Sequence, residues 1–131
     1  MEQVIESYKR VTRQAGFLDT FYQHFFSRDP DIPVRFKGVD MENQAFLLAR
    51  SLAVILRHVA GVPGAEDTLA ALAKRHGPTD LDIPERLYEE WKEALLLALE
   101  EFDPEFDQDL DTRWRNLLDA EVAHFIRMSR L

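Results

Sequence analysis

One histidine of this sequence is predicted to point into the interior of the fold. Four residues at positions i, i+3, i+4 and i+7 share one face of a helix and form a single stripe: Leu69, Leu72, Ala73 and His76. Gly77 and Pro78 then end the helix, so His76 lies in its last turn, where the imidazole can be presented into a cavity. A helix C-terminus favours a histidine in any case, so this residue by itself is more often structural than a ligand.

Other polar side chains also stand in apolar surroundings. Gln44 lies one turn before Leu48 on an apolar stripe, and an amide there is either hydrogen-bonded inside or faces something that needs a hydrogen bond. Tyr22 and Phe36 have a simpler interpretation, as a core tyrosine bonded to a backbone carbonyl and a packing phenylalanine. The chain has no cysteine, so any metal must be bound through nitrogen or oxygen.

Length and charge exclude several classes of partner. The 131 residues fit one domain, residues 1–131, with a core and one internal pocket. A net charge of −8, from 16 basic and 24 acidic residues, argues against a nucleic-acid surface and against a polybasic membrane anchor. The N-terminus lacks the pattern of a signal peptide, and no run of about 18 apolar residues follows. We therefore expect a soluble, cytoplasmic protein.

The elements that must position these residues are all predicted to be helices. Hydrophobic periodicity indicates an all-α fold of six main helices and one short corner segment, with no alternating strand pattern. The predicted segments are residues 2–14, 17–27, a short turn that starts at 29–30 and runs through 33 to 36, 41–60, the helix that ends at His76, a helix that starts at 82–84 and reaches 101, and 107–128. Asp40 is predicted to cap the fourth of these segments.

This order of helices resembles the globin fold, particularly the single-domain bacterial haemoglobins related to the haem domain of flavohaemoglobins. In that family a Phe-Tyr pair on the second helix supplies a distal tyrosine, and Phe21-Tyr22 matches it. A phenylalanine that packs on the haem follows fourteen residues later, which is the position of Phe36.

Further intervals agree with the same resemblance. A distal glutamine followed four residues later by a leucine is matched by Gln44 and Leu48, and a proximal histidine 32 residues beyond the glutamine is matched by His76. Tyr88 matches a tyrosine near the proximal histidine, and Trp114 matches a tryptophan that opens the last helix. The resemblance implies haem b held by Phe36, Leu48, Leu72, His76 and Tyr88, with His76 as the iron ligand and with Tyr22 and Gln44 as distal ligand-binding residues.

The sequence also departs from that family. Leu47 stands where a basic residue often meets a haem propionate, so Arg35, Lys37 or Arg75 would have to serve instead. Ser129 stands where relatives carry a glutamate that polarises the proximal histidine, so the resemblance implies at most a weak peroxidase activity. The three other histidines, His24, His58 and His124, have no counterpart in the pocket and are predicted to lie at or near the surface.

The resemblance implies a globin that binds O2, NO and CO at a five-coordinate iron. Its role would be oxygen binding or transport, or nitric oxide dioxygenation with an external reductase. Two alternatives stay open on the sequence: a haem-based gas sensor or interaction module that signals to a separate partner, and a haem-free globin-like helical domain. The sequence is compatible with a monomer or a homodimer.

Overall fold

The computed structural model describes all 131 residues and is built from seven helices without a strand. The helices are α1 (Glu2–Thr12), α2 (Phe17–Phe26), α3 (Asp31–Arg35), α4 (Met41–Val59), α5 (Ala65–His76), α6 (Glu85–Phe102) and α7 (Gln108–Ser129). The prediction of an all-α fold with six main helices and one short segment is therefore confirmed.

Most helix boundaries agree with the prediction within one residue, and the exceptions have local causes. Helix α1 ends at Thr12, two residues early, because the chain turns towards Gly16, whose φ of 94° is in the left-handed region. Helix α3 covers Asp31–Arg35, inside the turn predicted to start at Asp29-Pro30, and the Asp29 side chain accepts a hydrogen bond from the Asp31 backbone N–H at its start.

Two aspartates fix the starts of the long helices. The Asp40 carboxylate accepts hydrogen bonds from the backbone N–H groups of Glu42 and Asn43, as the predicted cap requires. Asp107 caps α7 in the same way through the N–H of Leu110. These caps fix the residues at which α4 and α7 begin.

The apolar side chains form two separate core clusters. The larger cluster takes residues from α1, α2, α3, α4, α6 and the first half of α7, and it is centred on the packing of α2 against α6. The smaller cluster consists of Val54, Leu69, Ala73 and Met128, where α5 packs between α4 and the end of α7. Helix α4 contributes to both clusters, so it runs past both parts of the interior.

A buried polar network joins α1 to the connection between α6 and α7. The Asp103 carboxylate, which is fully buried, accepts hydrogen bonds from Ser7 at 2.6 Å and from both Nε and Nη2 of Arg10 at 2.8 and 2.9 Å. Trp114 donates its indole N–H to the Ser7 hydroxyl at 3.0 Å. Because every member has a partner, this network holds α1 against the α6–α7 connection and the first half of α7.

Candidate functional site

His76 is the last residue of α5, as predicted, and its ring is held in one orientation. Its Nδ1 lies 2.9 Å from the backbone carbonyl oxygen of Leu72, one turn back on the same helix. A carbonyl oxygen only accepts, so Nδ1 carries the proton, and in the neutral ring the lone pair is on Nε2. Burial lowers the pKa of His76 below its ordinary value, which favours this neutral form. The side chain is therefore prepared to ligate a metal through Nε2.

Aromatic side chains from α6 and α7 surround the imidazole. Phe125 packs edge-to-face on His76, with ring centroids 5.2 Å apart, and also on Tyr88, with centroids 5.9 Å apart. His76, Tyr88 and Ser129 line one small cavity of about 20 Å³. The Tyr88 hydroxyl is buried without a hydrogen-bond partner, and burial raises the pKa of Tyr88 to about 12. His76 thus stands beside an uncharged hydroxyl.

The end of α5 touches the end of α7 through backbone atoms. A Cβ added to Gly77 would lie 1.9 Å from the carbonyl oxygen of Ser129, which is a severe clash. Gly77 has a φ of −83°, so glycine is needed here for the close approach and not for a left-handed conformation. The carbonyl of His76 also accepts a hydrogen bond from the Ile83 backbone N–H at 3.1 Å. These contacts fix the place where α5 presents His76.

The two predicted distal residues, Tyr22 and Gln44, lie close to Phe36 and to each other. The Tyr22 hydroxyl donates a long hydrogen bond of 3.4 Å to the backbone carbonyl of Gln44. The ring of Phe36 packs on Tyr22 with centroids 5.9 Å apart. Tyr22 is buried, and burial raises its pKa to about 12, so the phenol stays protonated and able to donate. Gln44 is only half-buried, at the start of α4.

The predicted wall residues belong to different parts of the structure. Leu48 is buried in the larger core cluster, together with Tyr22, while Phe36 packs on its edge. Leu72 is half-buried on α5, one turn before His76. Phe125, which packs on His76, is in contact with the smaller core cluster. Tyr22, Leu48 and Phe36 therefore belong to the larger core cluster or its edge, whereas the partner of His76 belongs to the edge of the smaller one.

The basic residues named for the propionates are all at the surface. Arg35 binds Asp31 at 2.9 Å and donates to the Leu81 carbonyl at 3.4 Å, so it reaches from α3 to the loop after α5. Arg75 lies 3.8 Å from Asp80, and Lys37 is exposed just after α3. Their role at a cofactor stays a prediction.

The remaining histidines are half-buried and paired with carboxylates. His24 lies 2.7 Å from Glu101, while His58 and His124 lie elsewhere, between α4, α5 and α7. Neither Phe125 nor Glu121 was singled out for a role from the sequence. Both lie on the apolar face of α7, with Glu121 three residues after Leu118 and four before Phe125, so helical periodicity was a usable signal for both.

Comparison with known proteins assigns the family. The globin family model matches residues 19–126, which is most of the chain. The chain is a member of the globin family. A crystal structure from Pseudomonas aeruginosa PAO1, of a protein described as structurally highly homologous to a human hemoglobin, is 31% identical to this globin. The match covers 99% of this chain and 98% of that one with a TM-score of 0.93, which confirms the globin fold. None of the curated proteins matches this globin.

The residues of this globin fit a haem. The proximal side offers one neutral imidazole with a free Nε2, which is the donor that haem iron takes from a histidine. Tyr22 offers a protonated hydroxyl whose present hydrogen bond is long and easily exchanged.

None of the seven helices combines the length and the apolar composition that a membrane span requires.

Proposed function

We propose that this globin binds haem b through His76 and takes dioxygen, and also NO or CO, on the opposite side of the haem. The observation that carries the proposal is the hydrogen bond between His76 Nδ1 and the Leu72 carbonyl. It fixes the ring tautomer and its orientation, and such outer contacts are what hold a ligating histidine in place. When bound, the haem supplies a ferrous iron with one open position for a diatomic ligand.

The chain supplies the environment of that ligand. Tyr22 would turn its hydroxyl from the Gln44 carbonyl, 3.4 Å away, towards the ligand. The hydrogen bond that it gives up is long, so its loss would cost little free energy. The Gln44 amide is a second donor at the same end of α4. The apolar side chains of Phe36, Leu48 and Leu72 would slow the entry of water, which protects the ferrous state. Reversible oxygen binding is the function that this set of residues supports best.

The test is a haem titration of the purified protein, followed by absorption spectroscopy. We expect one haem per chain, a Soret band, and shifts of that band after reduction and after addition of CO. In His76→Gly, stable haem binding should be lost or should return when free imidazole is added, because imidazole can replace the missing ligand. His24→Ala is the matched control, since His24 is also half-buried and carboxylate-bonded but lies elsewhere.

Two results would overturn the proposal. A protein that retains no haem under any condition would have to be a haem-free helical module. Loss of the spectrum in His24→Ala, with His76→Gly unaffected, would show that the iron ligand had been assigned wrongly.

A further inference from the structure

Two histidines that play no part in the proposed haem site converge on one carboxylate. His58 lies in the last turn of α4, Glu66 in the first turn of α5, and His124 in α7. One ligand atom from each of the three lies within 4.8 Å of the other two. The two imidazoles are stacked almost parallel, at 4°, with centroids 5.2 Å apart. Three different helices thus bring nitrogen and oxygen ligands to one point.

A fourth residue orients one of these ligands. His58 Nδ1 lies 2.6 Å from Oε1 of Glu121, a nearly buried carboxylate on α7. The Glu121 carboxylate accepts a hydrogen bond from Nδ1–H, so the proton stays on Nδ1, and Nε2 of His58 faces Glu66, with which it is in contact. This carboxylate–histidine arrangement is the outer contact that fixes the tautomer of a metal-ligating histidine.

The distances are close to those that a metal site needs. Histidine nitrogens and carboxylate oxygens bind zinc at about 2.0–2.2 Å, so two ligands of a tetrahedral ion lie roughly 3.3–3.6 Å apart. Nε2 of His124 lies 3.1 Å from Oε1 of Glu66, which is already near that separation. Small side-chain rotations, without movement of a helix, would therefore place all three ligands around one ion.

The charges also favour a cation at this point. Both Nε2 atoms face Glu66, so without a metal each needs a proton in order to donate to it. His58 also faces the Glu121 carboxylate, so two carboxylates converge on this point. A divalent ion that takes Nε2 of each ring as a ligand would balance their negative charge.

We propose that His58, Glu66 and His124 form a second metal site that binds Zn²⁺, with Glu121 as the residue that positions His58. Two imidazoles and a carboxylate, with water as the fourth ligand, make a tetrahedral zinc site without cysteine. The ion joins the end of α4, the start of α5 and the middle of α7. It stabilises the connection between α4 and α5 and is independent of haem binding.

The test is Zn²⁺ titration of the purified full-length globin by isothermal calorimetry. We expect one Zn²⁺ per chain, with affinity reduced at least about tenfold in His58→Gln and in His124→Gln. Glu121→Gln keeps all three ligands but removes the acceptor for Nδ1, so it should weaken binding by roughly ten- to a hundredfold. His24→Gln is the matched control and should bind Zn²⁺ as the unsubstituted protein does, because His24 pairs with Glu101 alone.

X-ray absorption at the zinc edge tests the proposal without any substitution. The unsubstituted protein with one equivalent of Zn²⁺ should show scattering from two imidazole rings, and haem iron does not interfere at this edge. A first shell of oxygen atoms alone would overturn the proposal, as would affinity that is equal in all four variants, because either result would place the ion on surface carboxylates. His58→Gln and His124→Gln should leave the haem spectrum unchanged, so failure of this site and failure of the haem proposal are distinguishable.

Discussion

At the scale of single residues, the hydrogen-bond partner decides what each histidine can do. His76 Nδ1 donates to a neutral backbone carbonyl, and burial lowers the pKa of His76, so the ring stays neutral with Nε2 free. His58 Nδ1 instead faces the Glu121 carboxylate, and its other nitrogen faces Glu66. The same side chain is therefore suited to haem iron in one place and to a small divalent cation in the other.

Tyr22 provides a test of the proposed distal site. Dioxygen held beside its hydroxyl takes more negative charge than CO, so it accepts a stronger, partly charge-assisted hydrogen bond. Tyr22→Phe keeps the ring that packs on Phe36 but removes the donor. We expect oxygen dissociation to become roughly ten- to a hundredfold faster, since about 1.5–3 kcal/mol is lost and 1.4 kcal/mol is tenfold. Flash photolysis and stopped-flow mixing measure this rate.

CO release is the internal control of that experiment. It should change much less than oxygen release, because CO makes the weaker hydrogen bond. Equal changes for both gases would instead indicate altered access to the pocket, and no change for either would remove Tyr22 from the distal site.

Tyr88→Phe tests whether the buried hydroxyl of Tyr88 lacks a hydrogen-bond partner in solution. An unsatisfied buried donor costs about 1–3 kcal/mol, whereas its removal costs little packing because the ring stays. We expect Tyr88→Phe to leave the free energy of unfolding unchanged or to raise it, as measured by urea denaturation of the protein without haem. A loss of more than about 1 kcal/mol would show that the hydroxyl has a partner in solution.

At the scale of elements, the presentation of His76 depends on where α5 ends against α7. Helix propensity and a Gly-Pro pair determine that α5 ends at His76. The contact of Gly77 with the Ser129 carbonyl determines where this end lies against α7. Arg130, which follows α7, also pairs with Glu85 at the start of α6 at 2.6 Å. The ends of three helices therefore meet around the small cavity that His76 lines.

Gly77→Ala tests this contact. The new Cβ would lie 1.9 Å from a backbone oxygen, so α5 and α7 must move apart. We expect a loss of about 1–3 kcal/mol in the free energy of unfolding, as for other overpacked sites. Because the shift moves His76, the Soret band of the haem complex should change as well.

Gly38→Ala separates a general loss of stability from a displacement of His76. Gly38 has open space around it but a φ of +79°, so an alanine there is strained without a clash. It should cost about 1–2 kcal/mol of stability and leave the haem spectrum unchanged. A normal spectrum in Gly77→Ala would mean that the close approach does not position His76.

At the scale of the whole molecule, the Asp103 network connects the N-terminal helix to the C-terminal half. Burial alone would raise the pKa of Asp103, but hydrogen bonds from Arg10, Ser7 and the Glu105 backbone outweigh burial and hold the pKa below its ordinary value. A carboxyl group whose pKa is lower in the folded state stabilises the fold at pH above its unfolded pKa of about 3.9. That stabilisation is lost as the pH falls through the lower, folded pKa.

Asp103→Asn tests the strength of the network and its pH dependence. At pH 7 we expect the free energy of unfolding to fall by about 2–4 kcal/mol, because Arg10 and Ser7 lose a charged partner in a buried place. Urea denaturation at pH 7 and below pH 4 measures the difference between the variant and the unsubstituted protein. This difference should shrink at the acid pH, and a constant difference would show that the charge of Asp103 is not what stabilises the fold.

The sequence by itself determined the helices, their order and the residues that end them. Apolar periodicity is a local property of a helix, so the stripe through Leu69 and Ala73 predicted which face of α5 is buried, and both residues are fully buried. Capping is also local, and Asp40 and the break after His76 were predicted correctly. The spacing from Tyr22 to His76 indicated the globin family, which the family model confirms.

Only the tertiary structure decided which distant side chains meet. Neither the contact of Gly77 with Ser129 nor the convergence of His58, Glu66 and His124 has a signature in the local sequence, because each joins residues on different helices. The buried bonds from Asp103 to Ser7 and Arg10 likewise have no local signature, because they depend on how α1 packs on the α6–α7 connection. A local pattern fixes the direction of a side chain on its own helix, whereas its partners are set by the packing of helices far apart in the chain.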